Sequence, residues 1–150
     1  MMIRAFSFVE LVIVLALVGI LGLAAIVSAP SLDTTRLDVA IKQVLSDIEY
    51  AKQNASLTGQ TSGVQFVSSG AYTVYQGTVS TPLSSPLTHQ NMIVTLSANY
   101  PNIVISNNFT VEFNSLGVPT TGSGGTITLS NGSATRSITV TANTGKLVLQ

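Results

Sequence analysis

Cysteine is absent from the 150-residue sequence, and charged residues make up only 8% of it, against about a quarter in an average protein. Without cysteine the chain can form no disulfide, no catalytic thiol and no zinc–thiolate site. The formal net charge is zero, whereas a domain that binds nucleic acid is normally basic. The composition therefore argues against nucleic-acid binding, and the polar surface has to come from Ser, Thr, Asn and Gln.

Groups that could support catalysis or metal binding are sparse and scattered. The single histidine, His89, lies in a stretch rich in Pro, Ser and Thr, and every acid except Glu112 lies at or before residue 49. We interpret His89 as a loop residue and Glu112, which alternates with Thr110 and Asn114, as a surface carboxylate on a strand. Gly122–Gly125 has no helix or Lys after it, so it indicates a turn and not a phosphate loop. The sequence therefore predicts no enzyme, no cofactor site and no metal site.

A long apolar run, AFSFVELVIVLALVGILGLAAIV, extends from Ala5 to Val27. It holds no charged side chain from Leu11 onward. At about 1.5 Å per residue it is long enough, with its flanks, to cross a hydrocarbon core of about 30 Å. Glu10 interrupts the pattern, because an unpaired carboxylate in lipid costs several kcal/mol. The sequence therefore predicts a partner for Glu10.

A short leader with one positive charge, at Arg4, directly precedes Phe6, and Glu10 follows four residues after that Phe. This arrangement resembles the leader of type IV pilins and of type II secretion pseudopilins, with Ala5–Phe6 as the scissile bond. The family nearly always has Gly where this chain has Ala5. The resemblance implies cleavage and N-methylation at Phe6 by a prepilin peptidase. It also implies subunit assembly through Glu10, which would pair with the Phe6 amine of the next subunit.

Two other interpretations of this segment remain open. Gly22-Leu23-Ala24 satisfies the small-x-small rule for cleavage of a secretory signal before Ala25. A plain membrane anchor would also be apolar over this length. An ordinary apolar signal region does not carry a Glu, so the presence of Glu10 favours the pilin-like interpretation.

A second, amphipathic helix is expected after Pro30, which predicts a break or kink over residues 26–30. Asp38 and Lys42 are four residues apart, and we expect them to pair on the surface of this helix. Gly59 is expected to end it. The apolar residues recur at spacings of three and four, as one helix face requires: Leu37, Ile41, Val44, Ile48, Ala51 and Ala55. We expect this stripe to pack under the chain's own sheet, and additional packing against neighbouring subunits stays open.

Short β-prone runs alternate with turn sequences after Gly59, and they predict seven or eight strands without a further helix. Ser68-Ser69-Gly70 indicates a hairpin turn, residues 77–91 indicate a loop, and Asn131-Gly132 is the strongest hairpin signal. The predicted strands are Val64–Val67, Ala71–Gln76, Met92–Leu96, Ile103–Ser106, Phe109–Asn114, Thr126–Ser130, Arg136–Thr141 and Lys146–Leu149.

Two further stretches, the helix-to-strand junction Ala55–Val64 and the C-terminal part from Phe113 to Val148, resemble the H-type pseudopilins and the FimT-like minor pilins, the GspH/FimT family. The resemblance implies an α+β, type IV pilin-like fold in which a long N-terminal helix packs on antiparallel β-sheet. It divides the chain into a leader (1–5), a transmembrane and filament-core helix (6–30), an amphipathic outer helix (31–58) and a β-rich globular domain (59–150).

The same resemblance implies a non-enzymatic subunit of a type II secretion pseudopilus or of a type IV pilus, which supports protein secretion or pilus assembly. The subunit would cross the bacterial inner membrane once, with its C-terminal domain in the periplasm or outside the cell. Its partners would be other pilin subunits in a helical filament, the prepilin peptidase and an inner-membrane assembly platform. Two alternatives stay open: a minor pilin for DNA uptake, although the tail GKLVLQ has a single Lys, and a membrane-anchored adhesin or binding domain.

Processing of the leader can be tested directly. We expect cleavage of the Ala5–Phe6 bond and methylation of the new amine, because Arg4, Phe6 and Glu10 occupy the positions that the family uses. Mass spectrometry of the mature chain should find an N-terminal methylated Phe6. An N-terminus at Ala25 would indicate an ordinary secretory signal and would contradict the pilin-like interpretation of this segment.

Overall fold

The structure, a computed structural model, describes residues 7–27 and 32–150, with side chains at 7–20 and 32–150. The chain divides into two units, Met1–Ser31 and Leu32–Gln150. Ala5 and Phe6 lie outside the described residues, and so does most of the predicted break over residues 26–30. The division into leader, helices and β-rich domain therefore stays a prediction.

The first unit contains the helix α1, Phe8–Val27, with Glu10 in its first turn. All of its described side chains, up to Ile20, are exposed. Within the described ranges, no helix meets the combined requirement of length and apolar character for a membrane span.

The second unit begins with the helix α2, Leu32–Thr58, whose buried face is the predicted apolar stripe with Ala40 added. Gly59 ends the helix with φ of +72°, and its N–H donates to the Ala55 carbonyl at 3.0 Å. Glycine adopts this left-handed conformation without the steric penalty that a Cβ brings. The predicted helix, its end and its buried face are therefore confirmed.

Two antiparallel sheets follow, and together they hold nine described strands. The five-stranded sheet has the order β3-β2-β1-β5-β6, and the four-stranded sheet has the order β4-β7-β8-β9. The strands are β1 Ser62–Val67, β2 Ala71–Gln76, β3 Ile93–Thr95, β4 Val104–Ile105, β5 Phe109–Phe113, β6 Pro119–Thr121, β7 Thr126–Ser130, β8 Thr135–Val140 and β9 Leu147–Leu149.

The two expected hairpins are confirmed, and the structure gives their register. β1 and β2 pair from Ser62↔Gln76 to Val67↔Ala71 around the Ser68–Gly70 turn. β7 and β8 pair up to Ser130↔Thr135, which leaves a four-residue loop over 131–134. The Asn131 side chain holds that loop, because its Oδ1 accepts the N–H groups of both Ser133 and Ala134.

Two short elements depart from the expected pattern. The expectation of no further helix is wrong, because Leu96–Asn99 forms a one-turn helix, α3. Leu96 is fully buried, and its N–H donates to the Gly70 carbonyl at 2.8 Å. The strand β6 was not expected, because Pro119 opens it. Proline is compatible with an edge strand, where the missing N–H breaks no ladder, and β6 is an edge of the five-stranded sheet.

One side of the hydrophobic core is α2, which contacts β1, β2 and β5 of one sheet and β7, β8 and β9 of the other. A single cluster of buried side chains joins the helix stripe to residues of both sheets, such as Val111 and Phe113 in the first and Ile127 and Ile138 in the second. Each fully buried Leu, Ile or Val side chain stabilises the fold by about 1.5–3 kcal/mol. The apolar stripe of α2 therefore packs against the chain's own sheets, as expected.

The surface of α2 carries a contact that sequence spacing did not indicate. Asp38 accepts a hydrogen bond from Arg136 Nε on β8 at 2.8 Å. The predicted pairing of Asp38 with Lys42 is therefore wrong. Because β8 packs against α2, it places a guanidinium beside Asp38, and this tertiary neighbour replaces the local one.

The stripe provides a matched pair of stability variants in the fragment 31–150. Ile48 is fully buried, whereas Val39 on the same helix is 48% exposed. Ile48→Ala should lower the free energy of unfolding by about 2–5 kcal/mol, because it leaves a cavity between α2 and the sheets. Val39→Ala should change it by about 0.5 kcal/mol or less. Urea unfolding followed by circular dichroism measures both.

The same experiment tests whether the second unit folds without the apolar segment. We expect the fragment to be soluble, with both helical and β contributions to its spectrum. Equal effects of the two variants, or an insoluble or unfolded parent fragment, would contradict the assignment of α2 as the core helix.

Candidate assembly surface

Glu10 lies in the first turn of α1, two residues after the helix begins at Phe8. The N-terminus of a helix carries a partial positive charge, so a carboxylate is favourable there. Its side chain is exposed. Phe6, the partner expected from a neighbouring subunit, lies outside the described residues, so the pairing stays a prediction.

Apolar side chains surround Glu10 on every side of α1. From Ser7 to Ile20 every side chain is exposed, and Phe8, for example, is 81% exposed. Helices that are apolar all round are normally buried, either in a protein core or in a membrane. Exposed apolar surfaces of this kind mark sites of interaction with other proteins or with lipid. Among the described residues, α1 is therefore the strongest candidate for a surface that assembly covers.

The structure also places the two other residues that the sequence analysis considered, His89 and Glu112. His89 lies in the 77–91 loop and is exposed, with φ of +58°, which agrees with its interpretation as a loop residue. Glu112 is only half exposed and accepts hydrogen bonds from Tyr75 Oη at 2.8 Å and Thr121 Oγ1 at 2.6 Å. Glu112 is therefore a partly exposed carboxylate of β5, and the sequence did not indicate its two hydrogen-bond partners.

Gly63 explains how Tyr75 reaches Glu112. Both residues pair with Gly63 in the five-stranded sheet, one from each neighbouring strand. A Cβ on Gly63 would lie 2.4 Å from the Val111 carbonyl oxygen and 2.9 Å from Glu112 Cγ. The glycine thus leaves space on the outer face of the sheet, and the Tyr75 hydroxyl and Glu112 carboxylate meet over it. Burial, followed by the hydrogen bond to Glu112, raises the pKa of Tyr75, so its phenol stays protonated and continues to donate.

Lys52 ties α2 to the turn before β9. Its Nζ donates to the carbonyls of Thr144 at 3.2 Å and Gly145 at 2.9 Å and lies 6.0 Å from the centroid of the Phe113 ring. The turn itself was expected, and Asn143 and Gly145 have the positive φ angles that such a turn requires. The role of Lys52 was missed because its partners are backbone groups more than ninety residues away. Such contacts cannot be inferred from the spacing of residues in the sequence.

A chain of polar side chains connects α2 with β2 and the residue after α3. Tyr100 Oη donates to Gln43 Oε1 at 2.8 Å, Gln43 Nε2 donates to Tyr72 Oη at 3.5 Å, and Tyr72 Oη donates to Asp47 Oδ2. Burial raises the pKa of Asp47 above the usual 3.8, although the hydrogen bonds from Tyr72 and Gln43 act in the opposite direction. Burial and the negative charge of Asp47 also raise the pKa of Tyr72, so this phenol remains a donor.

A family model described as type II transport protein GspH matches residues 40–145 of the sequence. The chain belongs to the GspH family. Two crystal forms of the type IV minor pilin FimU of Pseudomonas aeruginosa PAO1 are similar in fold, with TM-scores of 0.54 and 0.56. Sequence identity to them is 12% and 14%, over 76% and 81% of this chain and 92% of the FimU chain. No curated protein sequence was found to match.

Membership of the GspH family confirms the pilin-like resemblance, and the antiparallel sheets packed with a helix confirm the α+β fold. Proteins of this pilin-like family are structural subunits and not enzymes. The family and the fold together support a role as a minor pilin or pseudopilin, and they indicate association with other pilin subunits.

The raised pKa of Asp47 predicts a pH dependence of stability for this GspH-family chain. Between pH 3.8 and the raised value, the folded chain binds more protons than the unfolded chain, so the free energy of unfolding falls as pH rises through that window. Asp47→Asn removes this titration, while its amide oxygen can still accept from Tyr72. We therefore expect the variant to gain stability relative to the native chain as the pH rises from about 4 to 7.

Urea unfolding of both chains across this pH range measures the effect. Glu49→Gln is the matched control, because it removes an exposed carboxylate of the same helix and so reports the general effect of losing such a group from α2. Tyr72 faces the same site, but burial raises the pKa of its phenol, so it does not titrate in this range. A difference between Asp47→Asn and the native chain that is constant with pH would contradict the assignment.

Proposed function

We propose that this chain is a minor pilin or pseudopilin that enters a helical filament through its segment 6–30 after removal of residues 1–5. The observation that carries the proposal is the exposed apolar surface of α1 with a single carboxylate, Glu10, in its first turn. In an isolated water-soluble protein such an apolar surface would remain exposed to water, which is unfavourable. In a filament subunit it would be covered first by lipid and then by a bundle of like helices.

Before assembly, the segment 6–30 anchors the subunit in the bacterial inner membrane. The first turn of the helix then lies near the interface, where water and lipid headgroups solvate the Glu10 carboxylate. Residues 32–150 carry their own core and stay outside the lipid. In this arrangement the domain is presented to the periplasm, and the helix is available to the assembly platform.

In the filament, Glu10 is surrounded by packed helices and loses much of this solvation. A buried carboxylate without a partner is strongly unfavourable, and a buried pair is tolerated only when both charges are close and hydrogen-bonded. Cleavage of the leader creates the amine of Phe6, which supplies such a partner from the neighbouring subunit. The pairing offsets the loss of solvation and sets the axial offset between subunits.

The domain supports this division of roles. The stripe of α2 is fully buried by the chain's own sheets, so α2 has only scattered apolar side chains, such as Val39 and Leu57, to offer to neighbours. No observation on residues 7–27 or 32–150 favours the DNA-uptake or adhesin interpretation. We therefore assign the filament contact chiefly to the N-terminal segment, in a type II secretion pseudopilus or a type IV pilus.

Substitution of Glu10 tests the proposal. Glu10→Leu should insert into the membrane and be cleaved as the native chain is, because the scissile bond is four residues away. It should be depleted in filaments, because the Phe6 amine of the neighbour is left buried without a counter-charge. Glu10→Asp should be intermediate, since its shorter side chain reaches the amine less well.

The measurement compares the amount of subunit in purified filaments with the amount in membranes, in cells that lack the native copy. Val14→Leu is the matched control, because it alters an exposed apolar side chain of the same helix without changing charge. Incorporation of Glu10→Leu at the native level would show that Glu10 has another role, such as recognition by the peptidase.

A further inference from the structure

A cavity of about 670 Å³ opens beside α2, between that helix, the loop over residues 85–91 and the segment that contains β3 and α3. Its size falls within the range of about 300–1,000 Å³ that is usual for small-ligand sites. Its polar lining includes the neutral side chains of Ser46, Ser85, Thr88 and Asn99, and Asp47 is the one charged residue among the described residues that line it.

The carboxylate of Asp47 has no positive partner in this cavity. The two ion pairs found among the described residues use Asp33 and Asp38, and no Lys, Arg or His lines the cavity. Its donors are the neutral hydroxyl of Tyr72 and the amide of Gln43. Burial outweighs these two donors and raises the pKa of Asp47, so a cation bound in the cavity would favour the ionised carboxylate.

The surrounding network holds these groups in position before any ligand arrives. Tyr72 is buried, and its hydroxyl is placed between Gln43 and Asp47. Tyr100 fixes the orientation of the Gln43 amide, because it donates to the Gln43 oxygen and leaves the nitrogen to face Tyr72. A site whose side chains are already ordered loses less conformational entropy on binding.

We propose that this cavity binds a primary ammonium group, with Asp47 as its counter-ion. The remaining N–H donors of such a group would be accepted by neutral oxygens of the lining, such as those of Ser46, Thr88 and Asn99. An anion is disfavoured by Asp47, and the described residues contain no group of three His, Cys, Asp or Glu side chains that could hold a metal ion. Two sources supply such a group, a free amine and a Lys side chain of another protein.

Three probes test the proposal on the full chain in detergent micelles: Nα-acetyl-lysine methylamide, putrescine and, as the neutral analogue, Nα-acetyl-norleucine methylamide. We expect saturable shifts of the amide NMR signals of Asp47, Tyr72 and Asn99 with the lysine probe and none with the norleucine probe. Tighter binding of the lysine probe than of putrescine identifies a protein side chain as the source, and the reverse order identifies a free amine.

Asp47→Asn should weaken binding of the cationic probes by about tenfold or more, because hydrogen bonds to charged groups contribute at least this much. Glu49→Gln is the matched control, since it removes a carboxylate of the same helix that does not line this cavity, and it should bind as the native chain does. Absence of saturable shifts with both cationic probes, or equal binding by Asp47→Asn, would overturn the proposal.

A second readout on the native chain keeps the test independent of any variant's folding. A bound cation favours the ionised carboxylate, so saturation with the probe should lower the pKa of Asp47, as followed by the ¹³C shift of its carboxyl carbon. An unchanged pKa at saturation would show that the probe binds without contacting Asp47, and it would equally overturn the proposal.

Discussion

The apolar stripe of α2 is the constraint on which the rest of the second unit depends. One apolar face of α2 has to be buried, and two antiparallel sheets pack against it. The same α2 side chains therefore belong to the hydrophobic core that both sheets contact. The stripe contains small residues, Ala40, Ala51 and Ala55, as well as Leu and Ile, and small side chains permit a sheet to approach a helix closely. Within residues 32–150 no second helix of comparable length can replace α2, since the other helix there, α3, spans only Leu96–Asn99.

Polar contacts join the sheets to the helix in addition to the hydrophobic packing. Arg136 joins β8 to Asp38, and Lys52 holds the turn before β9. Tyr72 joins β2 to Asp47. These contacts are distributed along α2, so they fix the register of the two sheets on the helix. The contact at Asp47 borders the cavity of about 670 Å³ beside α2.

The two units therefore differ in whether the apolar surface of their helix is buried. In residues 32–150 the apolar face of a helix is covered within the chain, whereas the described side chains of α1 leave apolar surface in every direction. A filament subunit requires this contrast. Its domain must be stable alone, while its N-terminal segment must move from a lipid environment to contacts with other helices. In the proposed function, lipid is the first covering and neighbouring helices are the second.

Periodicity accounts for the parts of the structure that the sequence predicted. The spacing of Leu37, Ile41 and Val44 predicts the buried face of α2, because helix geometry alone decides which residues share a face. Local turn chemistry predicts the two main hairpins in the same way. The resemblance of the Arg4, Phe6 and Glu10 pattern, and of the C-terminal half, led to the family that the comparisons confirm.

The features that were missed depend on partners far along the chain. Glu112 meets Tyr75 only because β1 places Gly63 between them, and Asp38 meets Arg136 only because β8 packs on α2. The strand β6 exists because a sheet edge accepts Pro119. The cavity beside Asp47 is likewise assembled from α2, a loop and the β3–α3 segment, and none of these stretches carries a recognisable binding motif by itself.

Native-state hydrogen exchange of the full chain in micelles tests most directly whether α2 is the shared core of both sheets. The account predicts that the amides of Val111 in the five-stranded sheet and Ile138 in the four-stranded sheet exchange with the same free energy of opening. It also predicts the same dependence on denaturant for both, because neither sheet can separate from α2 without exposing the common stripe. Exchange of one sheet at a clearly lower free energy, with the other still protected, would show that the sheets are independent and would contradict the account.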